Sequence, residues 1–433
     1  EDFDEVVVSF PERREFVAGF RSRHDRPVHT ITTPATPEGV ATTLSHLSSA
    51  HKTSTPDRTY PTLRGHPPLV ETGADLDVPP EVAAATPESG IDLIVPPSLD
   101  QLFVLAPLAY YLQGDVTIED RVAPLLRAPE AGVEHELDAP PRLERSAARL
   151  LRKTFFLDSI VRNAGPFGTT LAEASILDAL GLDDERLYAA SPPERLATYL
   201  DVPHSAIDHR LPEWHLSMYV SPEAQNVQTL PFLLDRLALI YRPETSELEG
   251  SELVERSLDD FYRGPTTGPG AVASVDIVKP ELHSGRSHGW LADGVPIDVF
   301  KSTPTAYHNR LSYLDRESYE RGVTVVLNDD EMGREHTDVE EIYRQRAEDY
   351  AIDLTVEKYL SVEELARVFE SENDFVHFIG HCEEDGLRCP SGHLSAASLD
   401  TVETETFFLN ACGSFHEGME LVEKGAVAGA VTF

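Results

Sequence analysis

Short apolar runs alternate with amphipathic stretches near the start of the chain. Residues 91–95 are apolar, Ser98 can cap a helix that Gly114 can end, and a second apolar run covers residues 116–118. Strand, helix and strand in this order form the building block of a parallel sheet. The pattern therefore predicts an α/β arrangement here, with a further strand at residues 4–8 and a helix near residues 38–49.

The middle of the chain has a helical pattern. Apolar side chains recur at helical spacing between Leu143 and Phe155, and a Gly-Pro pair at residues 165–166 ends the run. Ser191 with Glu194 predicts a capping box, as does Thr170 with Glu173. Two further elements are predicted: alternation at residues 214–220 indicates a strand, and residues 229–241 are predicted as a helix.

The last third returns to strands that alternate with helices. Five apolar runs predict strands at residues 322–329, 352–359, 374–382, 406–414 and 426–433. Helices are expected between them, at residues 337–350, after the capping pair Ser361 and Glu364, and at residues 415–424. This alternation is typical of a parallel sheet flanked by helices.

A chain of 433 residues is longer than one hydrophobic core usually organises, so several domains are expected. We predict an α/β amino-terminal region at 1–140 and a mainly helical region at 141–265. An irregular connecting segment at 266–315 follows a Gly/Pro-rich boundary, and an α/β domain occupies 316–433. The fold class is therefore α/β, with a carboxyl-terminal parallel sheet preceded by an α/β region and a helical middle segment.

Charge narrows the range of partners. The formal net charge is −39, only six of the 36 basic residues are lysine, and the acids are spread along the whole chain. Such a surface fits a protein that works in molar salt, where the Debye length is only ~3 Å. We expect an acidic, halophilic cytoplasmic protein, the alternative being an ordinary acidic one. Nucleic acid and anionic membranes carry like charge and are poor partners.

No targeting or membrane segment is evident in the sequence. No run of eighteen apolar residues exists, and no signal peptide is visible. The chain starts without methionine and stops inside an apolar run, so we expect both ends to be cut, with more structure beyond Phe433. Three cysteines close together do not indicate a disulfide framework.

Two predicted strands end in residues with reactive side chains. One ends in Gly380-His381-Cys382, and the other in Asn410-Ala411-Cys412-Gly413. Ligands of open parallel sheets bind beyond the carboxyl ends of the strands. If the two strands are neighbours, His381 can take the proton of the Cys412 thiol and return it to a leaving group. The N–H groups at residues 412–413 could then stabilise an oxyanion.

These residues carry a resemblance to a known family. The segment "DFVHFIGHCEEDGLRCPSGHLSAASLDTVETETFFLNACGS" resembles the core of a CHAT domain, a caspase-like cysteine peptidase family. Gly380-His381, Gly392-His393-Leu394 and Ala411-Cys412 match its motifs in order and spacing. The resemblance covers residues 320–433, about a quarter of the chain, and residues 286–315 loosely resemble haloarchaeal relatives.

The resemblance implies a cysteine endopeptidase that needs no cofactor. Cys412 would be the nucleophile and His381 the catalytic base, with backbone N–H groups of Cys382, Cys412 and Gly413 at the oxyanion. Cys382 stands where the family usually has glycine, and it would be strained if that position requires a positive φ. Asp385, and more remotely Asp400, are candidates for binding a basic substrate side chain; the alternative is that both are solvated loop acids.

The family also implies a setting for this activity. CHAT domains often follow sensor modules, so the amino-terminal region would regulate a protease that acts on a protein or peptide substrate. A regulatory partner protein could bind through that amino-terminal region.

Three other interpretations remain open from the sequence. The domain could be a catalytically degenerate interaction module or scaffold, which the Gly-to-Cys change at 382 favours, or Cys412 could be a buried thiol. It could instead be stabilised by zinc, because many zinc-type ligands lie within forty residues: His377, His381, Cys382, Cys389, His393, Cys412 and His416.

His377, which lies deeper in its strand, is expected to be packed or hydrogen-bonded. The acids of "NDDE" at 328–331 are either a Mg²⁺ site or, by our preferred interpretation, a solvated turn.

Overall fold

The structure is a computed structural model that describes residues 26–168, 171–246, 277–314, 322–329, 342–345 and 352–432. Mixed α/β architecture is confirmed, with parallel sheets flanked by helices. The strand predicted at residues 4–8 and the cap predicted at Thr170 lie outside the described residues. Of the helix predicted at 337–350, residues 342–345 are described, and they are helical.

Thirteen strands precede the carboxyl-terminal sheet in the described residues. They are β1 (Thr30–Thr33), β2 (Leu69–Thr72), β3 (Asp92–Val95), β4 (Asp115–Ile118), β5 (Leu125–Ala128), β6 (Val133–Glu136), β7 (Ser217–Val220), β8 (Leu239–Tyr241), β9 (Thr245–Ser246), β10 (Ile277–Pro280), β11 (His288–Leu291), β12 (Val295–Pro296) and β13 (Phe300–Lys301). They form the sheets β1-β2, β4-β3-β5-β6, β13-β11-β7-β8 and β12-β10-β9. The third of these is parallel throughout, whereas β5 and β6 add an antiparallel edge to the second.

Eleven α-helices precede the carboxyl-terminal sheet in the residues that the structure describes. They are α1 (Pro37–Leu47), α2 (Pro61–Arg64), α3 (Pro80–Ala85), α4 (Leu99–Leu112), α5 (Leu143–Val161), α6 (Ser175–Leu180), α7 (Asp184–Ala189), α8 (Pro192–Asp201), α9 (His204–Ile207), α10 (Leu230–Asp235) and α11 (Pro304–Leu314). The predicted strand–helix–strand unit is confirmed: the Ser98 hydroxyl caps α4, and β3 and β4 pair in parallel. The capping box of Ser191 and Glu194 is present at α8.

The helix predicted over residues 229–241 is wrong in its second half. The helix α10 ends at Asp235, and Leu237 has a φ of 51°, in the left-handed region that ends the helical path. The chain then forms β8, which pairs in parallel with β7. An apolar run of this length fits either a helix or a buried strand, and the pairing with β7 decides between them.

The carboxyl-terminal part contains a five-stranded parallel sheet. Its remaining strands and helices are β14 (Gly322–Leu327), β15 (Asp353–Lys358), α12 (Val362–Phe369), β16 (Asn373–Ile379), β17 (Cys382–Glu383), β18 (Gly386–Cys389), β19 (Gly392–Leu394), β20 (Thr404–Asn410), α13 (Phe415–Glu423) and β21 (Ala428–Val431). The sheet order is β15-β14-β16-β20-β21, with every neighbouring pair parallel. The small antiparallel sheet β17-β18-β19 follows β16 directly.

Four clusters of buried apolar side chains occur in the described residues, of which the two largest form the main cores. The larger one contains side chains such as Leu105 on α4, Leu151 on α5 and Tyr219 on β7, and so draws on both sides of the boundary predicted at residue 140. The second lies between the carboxyl-terminal sheet, α12, α13 and the β17-β18-β19 sheet. The division into four regions remains a prediction. No helix in the described parts of the chain is long and apolar enough to cross a membrane.

The helix α11 contacts elements of both cores. The ring of Tyr307 stacks on Phe232 of α10, with 5.0 Å between the ring centroids. Two residues further on, the Asn309 amide donates to the carbonyls of Val422 (2.7 Å) and Ala426 (2.8 Å), at the end of α13. The segment predicted as irregular thus contains a helix that connects the amino-terminal part to α13.

A buried carboxylate organises the polar interior of the amino-terminal part. Asp158 on α5 is fully buried and accepts hydrogen bonds from Arg58, Tyr111 and Tyr199 at 2.7–3.1 Å. Arg195 lies 3.5 Å away, an ion pair without hydrogen-bond geometry. Removing one member of a buried pair leaves an uncompensated charge, which is strongly destabilising.

We expect Asp158→Asn to lower the free energy of unfolding by about 3–5 kcal/mol, because Arg58 and Arg195 would lose their buried counter-charge. Urea or thermal denaturation in high salt measures this loss. Asp92→Asn is the matched control, since Asp92 pairs with Arg127 at a partly exposed position and should cost about 1 kcal/mol or less. Equal effects of the two changes would contradict the structural role given to Asp158.

Candidate active site

Three neighbouring strands of the carboxyl-terminal sheet end in register. Leu327 of β14 is paired with Ile379 of β16, which is paired with Asn410 of β20. Two residues beyond these partners are Asp329, His381 and Cys412. This register brings the ends of the three strands, and with them these three residues, to the same carboxyl edge of the sheet; we call the three residues the row.

Two members of the row, Asp329 and His381, are in direct contact. The Nε2 atom of His381 lies 2.7 Å from Oδ2 of Asp329. The Asp329 side chain is only 9% exposed, whereas that of His381 is 32% exposed. An ionised carboxylate can only accept, so this contact places a proton on Nε2. In the neutral ring, Nδ1 is then the nitrogen with a free lone pair.

His381 and Cys412 follow the ends of β16 and β20, which are paired strands. Earlier in these two strands, the ring of His377 stacks on that of Phe408, with 4.7 Å between the ring centroids. The Gly380 N–H donates to the Asn410 carbonyl at 3.3 Å, so the two chains are still joined immediately before His381 and Cys412. Neighbouring strands lie about 4.8 Å apart, so the two strand ends that lead to His381 and Cys412 are adjacent at the edge of the sheet.

The turn that carries Cys412 is anchored on both sides. Ala411 before it and Ser414 after it are buried, and the Ser414 hydroxyl donates to the Leu409 carbonyl at 3.4 Å. Gly413 has a φ of 75°, a conformation that favours glycine. Cys412 itself is exposed. The turn therefore presents the thiol to solvent immediately before α13.

The other two cysteines have different surroundings. Cys389 is buried, and burial raises its pKa to about 11 despite a hydrogen bond from Asn328. Cys382 is half-buried, and burial, followed by the charges of Glu417 and Glu383, raises its pKa to about 12. Both thiols stay protonated at neutral pH, and protonated thiols are poor nucleophiles.

Backbone N–H groups near the row are oriented away from the local secondary structure. The His381 carbonyl accepts from the Arg388 N–H at 2.9 Å, so Cys382, paired with Leu387, occupies a non-hydrogen-bonded position of the antiparallel ladder. Its N–H points away from β18. Within the described residues, no acceptor lies within hydrogen-bonding distance of the N–H groups of Cys412 or Gly413.

Cys382 is not strained. It lies in β17, and its φ is outside the positive range that only a few non-glycine residues of the described chain adopt. A cysteine at this position therefore requires no unfavourable backbone conformation.

Asn328 and Asp329 are functional candidates that sequence reasoning missed. We predicted a Mg²⁺ site or, preferably, a solvated turn at residues 328–331. In the structure, Asn328 is buried and bonds both the N–H and the carbonyl of Leu360, and its amide also reaches Cys389. It thereby fixes the β17-β18-β19 sheet beside the row, while Asp329 contacts His381. The sequence signal for a role of these two residues was their position at the end of a predicted strand. Residues 330 and 331 of the predicted site lie outside the described residues.

The remaining candidates lie outside the row. Asp385 is exposed in the turn between β17 and β18, and Asp400 is exposed with its N–H bonded to Glu370. His393 pairs with Glu383 at 3.2 Å. Among the residues that the structure describes, no group of three or more His, Cys, Asp or Glu side chains could hold a metal ion.

Comparison of the chain with protein-family models, with curated proteins and with solved structures finds no match in any of the three.

His377 is packed and hydrogen-bonded, as predicted. It is 5% exposed, and its Nδ1 lies 3.1 Å from the Tyr343 hydroxyl. Burial lowers its pKa to about 4. The folded protein therefore resists protonation at this ring, whereas the unfolded chain takes up the proton near pH 6.5. Stability from this group is complete above pH 6.5 and is lost as the pH falls towards 4.

We expect His377→Gln to reduce the acid sensitivity of folding. Between pH 6.5 and 5, His377 accounts for about 2 kcal/mol of lost stability, and the variant should lack this contribution. Denaturant unfolding at the two pH values measures the difference. His416→Gln changes an exposed histidine on α13 and should leave the pH dependence as in the parent protein. Identical pH dependence in the parent and in His377→Gln would contradict the assignment.

Proposed function

We propose that the chain is a cysteine endopeptidase of the caspase-like type, in which Cys412 is the nucleophile and His381 the base. The observation that carries the proposal is the row of Asp329, His381 and Cys412 at the carboxyl edge of three paired parallel strands. The ordered nucleophile, base and orienting carboxylate follow the general logic of activated nucleophiles. The resemblance of residues 374–414 to CHAT domains supports the same assignment.

The proposed reaction begins with transfer of the Cys412 proton to Nδ1 of His381. The thiolate attacks the scissile carbonyl carbon, forming a C–S bond and a tetrahedral oxyanion. His381 then returns the proton to the amine as the C–N bond breaks, which leaves a thioester on Cys412. Water, deprotonated by His381, hydrolyses the thioester and regenerates the thiol.

Asp329 acts in this scheme as a positioning residue. Its carboxylate accepts from Nε2 of His381, which selects the tautomer with a free Nδ1 and orients the ring. Because Asp329 is largely buried, its negative charge also stabilises the imidazolium that forms in the first step. The N–H groups of Cys382, Cys412 and Gly413 are the candidates for stabilising the oxyanion.

The geometry favours this proposal over a catalytically degenerate scaffold. The main sequence argument for degeneracy was strain at Cys382, and the backbone there is outside the positive-φ region. Exposure also distinguishes Cys412 from the buried Cys389 and the half-buried Cys382. We therefore take a degenerate domain as the second candidate and a zinc-stabilised domain as the third.

The proposal also covers the substrate, the cofactor requirement, the location and the regulation of the activity. We infer that the substrate is a protein or peptide, that no cofactor takes part, and that the protein works in a high-salt cytoplasm. The amino-terminal part, through a partner protein, would regulate the site. The contacts of α11 with Phe232 on one side and with the end of α13 on the other offer a physical connection for such regulation.

We expect iodoacetamide in molar KCl to alkylate Cys412 ahead of Cys382 and Cys389, which peptide mass mapping can resolve. His381→Ala should slow alkylation of Cys412 by about tenfold or more, because the proton acceptor is gone. Asp329→Asn should slow it less, and Asp385→Asn, on the exposed turn, should not change it. Equal reactivity of the three cysteines would remove the basis for the dyad.

Peptide cleavage itself is tested with a library of fluorogenic peptides that covers all residues before the scissile bond. Cys412→Ala should abolish hydrolysis, and His381→Ala should reduce the rate by about 10²–10⁴-fold. Asp353→Asn, an exposed change at the start of β15 on the opposite edge of the sheet, serves as the folded control. A reactive Cys412 with no hydrolysis of any library member, even when the chain's partners are supplied from a cell extract, would favour the degenerate scaffold.

A further inference from the structure

A segment of unusual polarity is buried in the amino-terminal part. Residues 48–66 connect α1 to the strand β2 and contain the 3-10 helix Pro56–Thr59 and the helix α2. Seven polar side chains of the segment are at most 8% exposed: Ser48, His51, Asp57, Arg58, Thr59, Arg64 and His66. Burying so many hydrogen-bond donors is costly unless each of them finds an acceptor.

The hydrogen bonds of Gln113 fix the tautomer of His51. The Gln113 Nε2 group donates to the Thr53 carbonyl at 3.0 Å and lies 2.8 Å from Nδ1 of His51. Since a carbonyl can only accept, the amide nitrogen must face both groups, and Nδ1 of His51 must be an acceptor. The proton of the neutral ring is therefore on Nε2. That Nε2–H donor is buried and has no partner among the described residues.

Two arginine donors in the same segment are also unpartnered. Arg58 uses Nε and Nη2 for Asp158, which leaves Nη1 without an acceptor within the described part of the chain. Arg64 uses Nη1 for the carbonyls of Arg58 and Thr59, and its Nε is likewise buried and unpartnered there. The hydroxyl of Ser48 is a fourth buried group of this kind.

Backbone hydrogen bonds join the parts of the segment that carry His51, Arg64 and Ser48. The Lys52 N–H donates to the Leu63 carbonyl at 2.8 Å, which places His51 and Arg64 at adjacent positions. The Ser48 carbonyl accepts from the His51 N–H at 2.9 Å. Burial lowers the pKa of His51 well below its usual value, and the charges of Arg58 and Arg64 lower it further. The ring is therefore neutral and lies within the field of both guanidinium groups.

The buried charges of this region do not balance. Three guanidinium groups (Arg58, Arg64 and Arg195) accompany two carboxylates (Asp57 and Asp158), all at most 5% exposed. Both oxygens of Asp158 are occupied. Asp57 accepts from the Tyr188 hydroxyl at 2.6 Å with Oδ2 instead of from an arginine, and its Oδ1 is buried without a partner in the described residues. One positive charge is left over, together with at least three N–H donors. A single water accepts only two hydrogen bonds and supplies no charge, whereas a small anion satisfies both requirements.

We propose that His51, Arg58 and Arg64 form a buried binding site for a small monovalent anion of the halide type, chloride in a protein that works in molar KCl. The anion would accept hydrogen bonds from Nε2–H of His51, Nη1–H of Arg58 and Nε–H of Arg64. It would neutralise the excess positive charge and stabilise the packing of the segment against α4 and α5. The site is independent of the Cys412 row and of any peptidase activity.

The test compares thermal unfolding of the full chain in potassium chloride, potassium bromide and potassium gluconate at equal molarity. A halide that binds only the folded state raises Tm as its concentration increases, and gluconate is too large to enter. We expect a Tm about 2–4 °C higher in chloride and bromide than in gluconate. A Tm in gluconate equal to or higher than that in chloride would overturn the proposal.

Two variants localise the effect. His51→Phe preserves the edge-to-face contact with Tyr110, whose ring centroid lies 4.5 Å from that of His51, and removes one donor. The difference in Tm between chloride and gluconate should then fall by at least half. His135→Phe, a half-buried histidine on β6, is the matched control and should retain the full difference. An equal loss in both variants would overturn the localisation.

A second measurement does not depend on the folding of a variant. Crystals of the unaltered protein grown in potassium bromide should show an anomalous scattering peak between His51, Arg58 and Arg64. A peak there supports the anion site directly. Ordered density without anomalous signal in that position would identify water and refute the proposal.

Discussion

The candidate site depends on the in-register pairing of β14, β16 and β20. The parallel ladder aligns Leu327, Ile379 and Asn410, and so brings Asp329, His381 and Cys412, each two residues beyond a strand end, to one edge of the sheet. A shift of one residue in either pair would move one member of the row to the opposite face of the sheet. Earlier in the same strands, the buried His377 and the half-buried Phe408 hold the register because their rings stack on the same face.

Much of the fold was accessible from the sequence because its signals are local. Capping boxes at Ser191 and Ser361 and the apolar strands of the last third were predicted and are present. The error at residues 229–241 has a non-local cause: pairing with β7 turns the run after Leu237 into a strand. Periodicity over so few residues does not contain that information.

The site shows the same division between local and non-local information. His381 and Cys412 could be selected from the sequence, because each ends an apolar strand beside glycine. Asp329 could not be assigned a role, since its function depends on which strand lies next to β16, and β14 is fifty residues earlier in the chain. In so acidic a protein, one aspartate after a strand is not distinctive. Only the contact with His381 separates it from its neighbours.

The contacts of helix α11 determine how firmly it joins elements of the two main cores. None of its side chains is fully buried, although it joins elements of two cores through Tyr307 and Asn309. A connection made of a few marginal contacts can separate at a much lower energy than either core can unfold. These contacts are therefore expected to open before either core unfolds, and a displacement of α11 would act first on the end of α13, where Asn309 donates to the carbonyls of Val422 and Ala426.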